Sequence, residues 1–240
     1  MTVSRVVCCV LVIAASNAPA QNKSHQQPHG SYFDQTPPGD TAQLFAPGVI
    51  STKFHEHNRM VVSKDGSEMF WAVVIANPTD KNEEQKIWHT RNSASGWSKP
   101  SVLPLSFSET RSPAISPDGK LFYFLTNDKD ADPNEMPPKS LLWVKPMSDS
   151  SWGSISPVSG MLPRANKKIT LSYSLASNGN LYFDLGGPGD DGKWKWQLCC
   201  SEKRNGQYAE PRILSALFNE GNMNQNPFIA PDESYYTAPH

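Results

Sequence analysis

Apolar and polar positions sort the chain into short, strand-length runs bounded by turn-forming residues. The clearest run, Leu121-Phe122-Tyr123-Phe124-Leu125, follows the turn phrase Ser116-Pro117-Asp118-Gly119. Related phrases recur. Ser63-Lys64-Asp65-Gly66 precedes Met69-Phe70-Trp71, Ser177-Asn178-Gly179 precedes Leu181-Tyr182-Phe183, and Pro231-Asp232-Glu233 precedes Tyr235-Tyr236. Asp-Gly and Asn-Gly pairs tolerate the left-handed backbone of a tight hairpin, so each phrase predicts a turn between antiparallel strands. A β-like stretch ending in an aliphatic residue leads into each turn, at residues 59–62, 112–115, 172–175 and 226–229. A third strand is expected at residues 87–90, 142–145 and 198–201, and a fourth after an aromatic and a proline-bearing segment near residues 97–103, 152–158 and 208–214. Long helical patterns are absent.

Four short strands per unit, repeating every fifty to sixty residues or so, predict an all-β chain, specifically a β-propeller of four-stranded blades. Units start near residues 59, 112, 172 and 226. Residues 41–46 match the fourth strand of a unit and residues 232–240 open another, so about three whole blades with partial blades at both ends are expected. Six blades of this period need on the order of 330 residues. The sequence therefore predicts a partial propeller, truncated from a six-bladed ring, over residues 40–240.

The strings Ser116-Pro117-Asp118-Gly119-Lys120-Leu121-Phe122-Tyr123-Phe124 and Pro227-Phe228-Ile229-Ala230-Pro231-Asp232-Glu233-Ser234-Tyr235 resemble the TolB-like, WD-repeat-like propeller repeats named for their Pro-Asp-Gly turn. The resemblance implies a propeller used as a periplasmic scaffold, a binding module or a domain attached to a peptidase. The third unit departs from it: its turn lacks proline, and Cys199 stands where the other third strands carry Trp88 and Trp143.

Composition narrows the setting. Twenty-one prolines and 15 glycines suit a turn-rich β chain. A net charge of −1 without blocks of like charge leaves no footprint for nucleic acid. Residues 1–20 combine a short basic start, an apolar stretch over residues 6–15 and Ala18-Pro19-Ala20 before Gln21, the pattern of a secretory signal peptide too short to span a bilayer comfortably. A periplasmic or extracellular protein without a stable membrane span is expected. Residues 21–39 are polar, including His25 and His29, and are expected to form a flexible N-terminal segment. Removal of the leader would leave only Cys199 and Cys200, neighbours that make no disulfide framework, although a vicinal disulfide is open to them in an oxidising compartment.

In a propeller, residues just before each first strand lie on one rim near the channel. His57, Thr110, Thr170 and Asn224 occupy that place, with Arg59, Ser112, Ser172 and Asn226 two residues on. With His55 and Arg111, these make a candidate polar rim for a protein or peptide ligand. His55-Glu56-His57 is the one metal-like spacing, but two histidines are too few for zinc, so no metal or cofactor is expected. Asp65, Asp118 and Asp232 recur at every turn, as turn-formers do and catalytic groups do not. No nucleophile elbow, zinc-protease helix or phosphate loop is present. The expectation is a non-catalytic binding or scaffold module. The alternatives are a hydrolase or lyase centred on His55, His57 or Arg111, and a structural module of a longer protein.

Overall fold

A computed structural model describes residues 28–30, 32–76, 83–127, 140–147, 152–158, 168–189 and 192–237. The described chain is all-β, built from antiparallel sheets that share one strand order. Sheet one holds β1 (His55–Val62), β2 (Glu68–Ala76) and β3 (Glu83–Ser93), with β4 (Gly96–Trp97) and β5 (Ser101–Val102) both pairing along β3. Sheet two runs β6 (Arg111–Ile115), β7 (Leu121–Asn127), β8 (Ser140–Pro146) and β9 (Ser156–Pro157). Sheet three runs β10 (Lys168–Leu175), β11 (Leu181–Pro188), β12 (Trp194–Ser201) and β15 (Arg212–Ile213), with a ribbon of β13 (Lys203–Arg204) and β14 (Gln207–Tyr208) between its last two strands in sequence. The hairpin of β16 (Phe228–Ile229) and β17 (Tyr236–Thr237) follows. The register matches between sheets: the fourth strand pairs opposite Trp88, Trp143 and Cys199 respectively.

The turns behave as their chemistry dictates. Asp118 Oδ1 accepts from Ser116 Oγ at 2.5 Å and from the Lys120 amide at 3.0 Å, while Gly119 adopts φ +78°. In the first turn Asp65 accepts from the Ser63 and Ser67 hydroxyls at 2.6 and 2.7 Å and from the Ser67 amide at 3.0 Å. These bonds favour the charged form and hold the Asp65 carboxyl down to about 2. Asp232 repeats the arrangement with Ser234.

Sheet two is covered on both faces, which explains its unbroken apolar run. Phe122 and Phe124 turn towards sheet one, where Phe122 meets Phe70 at 4.9 Å and the two share a core cluster with Ile87 and Leu103. Tyr123 and Leu125 turn the other way and join Tyr173, Leu175, Phe183 and Cys199. Each fully buried ring of this kind contributes roughly 1.5–3 kcal/mol by its transfer from water. A further cluster of Leu198, Cys200, Leu214, Tyr182 and Tyr236 joins sheet three to the last hairpin. Both cysteines are buried thiols outside any disulfide, Cys199 in one layer and Cys200 in the next, so the pair packs on opposite faces of β12.

The other face of sheet one is closed by the residues before it. Residues 41–46, expected as a strand, form bends and coil, because Ala46 at φ +42°, Pro47 and Gly48 at φ +80° interrupt any ladder. They cap the sheet instead. Phe33 stacks on Trp97 at 4.6 Å, and Phe45, Ala46 and Ile50 share their cluster with Met69, Trp71 and Val73. The Trp97 indole donates to the Gly30 carbonyl at 2.6 Å and its amide to the Pro28 carbonyl at 2.8 Å.

Candidate functional site

The first strand of each sheet lies beside the first strand of the next: β1 against β6, β6 against β10, and β10 against the short β16. Each of the three longer ones carries an irregularity at the corresponding point, between His57 and Val61, Arg111 and Ala114, and Ile169 and Tyr173. A bulge leaves a residue outside the ladder and re-aims its side chain. Ser112 there adopts φ +50°, and Asn226, just before β16, φ +52°. Side chains distant in sequence are thereby turned towards a common centre.

Arg59 crosses that centre. Its Nη2 donates to the Tyr173 carbonyl and, at 3.2 Å, to Ser172 Oγ, tying β1 to β10. Tyr173 donates its hydroxyl to the Ser112 carbonyl at 2.8 Å, linking β10 to β6. Asp184, wholly buried on β11, accepts from the Asn226 amide at 3.2 Å. Burial pushes the Arg59 guanidinium down from its ordinary value, opposed by Tyr173 and Asp184. The same balance acts on Arg111, where burial is opposed by Glu109, 3.6 Å away, and by Asp184. Asp184 is thus the shared counter-charge of two desolvated guanidiniums.

Above this cluster opens a cleft of about 780 Å³, lined by Arg59, Met60, Val61, Ser172, Asn226, Pro227 and Phe228. Of the residues expected on the rim, Arg59, Ser172 and Asn226 meet here. Thr110 and Asn224 are buried stitches instead. Thr110 donates its amide to the Gln85 carbonyl at 2.9 Å and accepts from the Ile87 amide at 3.0 Å. Asn224 bonds the Trp196 carbonyl through both its amide and its side chain at 3.2 Å. These join consecutive sheets at equivalent points. Arg111 is enclosed, and His55 stands exposed at the start of β1, opposite Val74 and away from the cleft lining. The side chains of His57 and Thr170 lie outside the described residues.

A second cleft of about 670 Å³ runs between the turns of sheets one and two, with Lys64, Asp65, Glu68, Arg91, Asp118 and Lys120 in its wall. Its charges answer one another: Asp65 and Asp118 are held within their own turns, and Glu68 pairs with Arg91 at 3.0 Å. Among the described residues no three His, Cys, Asp or Glu side chains gather to hold a metal ion, and no helix is long and apolar enough to cross a membrane. Residue-type reasoning missed Asp184, although a carboxylate inside the run Leu181-Tyr182-Phe183-Asp184-Leu185 is the kind of interruption that marks a buried polar partner. No protein-family model matches the chain, and no curated protein matches it.

Proposed function

We propose that the chain is a secreted or periplasmic β-propeller module of the TolB-like kind that binds a protein or peptide segment in the cleft between its first strands, without catalysis. The observation that carries this reading is convergence. Three first strands, β1, β10 and β16, bring Arg59, Ser172, Asn226 and Phe228, spread over much of the sequence, onto one open cleft. Rigid sheets beneath an open, partly apolar cleft with a few polar groups suit recognition of an extended segment. The repeated strand order and the side-by-side first strands support the propeller reading, in which sheets one to three are blades and β16–β17 begins another.

The test is selection of displayed random peptides on the purified protein, followed by binding to a Phe228→Glu variant. Phe228 is 43% exposed, so the substitution alters the cleft and leaves the core in place. Peptides that enrich on the parent and lose at least tenfold on the variant are expected. Peptides that bind both equally, or turnover on peptide and glycan panels, would overturn the reading.

A further inference from the structure

We infer that the cleft takes a carboxylate carried on an apolar body, with Arg59 as the receiving group; the inference rests on the binding role proposed above. Charge carries it first. Among the described residues of the lining, Arg59 alone carries a formal charge, and none is a carboxylate. Asp184, whose charge acts on both Arg59 and Arg111, is wholly buried and does not line the cleft. Among the described residues, an anion entering the cleft therefore meets a cation and no lining carboxylate.

Geometry carries it next. Arg59 Nη2 is engaged by Ser172 and Tyr173 of β10, which fixes the plane of the guanidinium across the centre. Both Nη2 hydrogens are spent on these bonds, so a carboxylate would be met by the Nε or Nη1 N–H groups, and partial desolvation strengthens such a charge-assisted hydrogen bond. Beside the polar Ser172 and Asn226, the lining carries apolar groups on both sides: Met60 and Val61 from β1, Pro227 and Phe228 from the edge of β16. Met60 and Phe228 are 38% and 43% exposed. Such walls suit an aromatic or aliphatic body next to the acid, as in the last residue of a peptide or in a small aryl-alkanoic acid.

Two probe pairs distinguish these sources. The first is 3-phenylpropionate against 3-phenylpropionamide. The second is a heptapeptide library with free C-termini against the same library amidated. Binding is read by calorimetry and by chemical-shift perturbation on the full protein. The free acid is expected to bind at least tenfold tighter than its amide in both pairs, and Arg59→Lys, which keeps the charge and loses the fixed planar guanidinium, to weaken the acid alone. Because Arg59 also ties β1 to β10, Met60→Glu and Met60→Lys provide a second route at an exposed position. The first should abolish acid binding, and the second should keep or raise it. If free and amidated peptides bind equally, the carboxylate inference falls while peptide binding stands. If the small acid binds through Arg59 and peptides do not, the inference stands and the peptide reading falls. Binding by neither pair overturns both.

Discussion

Replacing Phe33 by alanine tests whether residues 28–51 form an integral cap on sheet one. Phe33 is 6% exposed and stacks on Trp97 at 4.6 Å with an interplanar angle of 16°, inside the cluster that includes Met69, Trp71 and Val73. Phe→Ala in a core costs about 3–5 kcal/mol. The cap is held by one cluster and a few backbone bonds and can partly collapse, so the low end, about 3 kcal/mol, is expected. For a domain of this size that lowers Tm by roughly 6–12 °C, at about 2–4 °C per kcal/mol. The more specific assay is site-resolved hydrogen exchange. The Trp97 amide bonds to the Pro28 carbonyl and the Trp97 indole to the Gly30 carbonyl, so both should lose protection while amides in the β11–β12 ladder keep theirs. Phe33→Leu should fall between. Unchanged Trp97 protection together with a stability change below about 0.5 kcal/mol, the range of neutral surface substitutions, would refute the cap.

Three further outcomes follow from the same contacts. Tyr173→Phe removes the hydroxyl that serves the Ser112 carbonyl and leaves that acceptor buried, so urea unfolding should show a loss of about 1–3 kcal/mol; an unchanged midpoint would contradict the bond. The Asp65 carboxyl is lowered in the folded protein by the Ser63 hydroxyl first and then by Ser67, so its stabilisation is complete above the ordinary aspartate range and is lost as pH falls towards about 2. Being exposed, it contributes below about 1 kcal/mol, and Asp65→Asn should lower the neutral plateau of a pH–stability curve by up to that amount and flatten its acid limb to match, with stability near pH 2 unchanged. Finally, burial pushes the Cys200 thiol up, and both thiols are enclosed, so a disulfide-exchange reagent should label Cys199 and Cys200 only in denaturant, with no mass change on reduction. Rapid labelling of the native protein would show the packing to be wrong.

Local chemistry made the hairpins legible: Asp65, Asp118 and Asn178 mark turns where the sequence places them, and the strands that flank them follow from apolar runs. The third-strand alignment also survives in space, since Trp88, Trp143 and Cys199 share one register position. Residues 41–46 resemble a strand in composition, but pairing is a property of neighbours, and here Phe45 and Ala46 find sheet one face-on. The rim positions split for a related reason. Thr110 and Asn224 precede their strands as Arg59 and Asn226 nearly do, yet a two-residue offset decides whether a side chain seals a seam between sheets or enters the cleft. The pairing of Arg59 with Ser172 spans 113 residues, a separation that no local pattern encodes.

The irregularities in β1, β6 and β10 insulate recognition from construction. Ladder bonds resume on both sides of each one, so the residues between them lie outside the backbone register of their own sheet. Substitution at Met60, the exposed residue of the first irregularity, can redraw the cleft's preferences while the sheets keep their register. The protein thereby has a surface free to diverge set in a frame that is not.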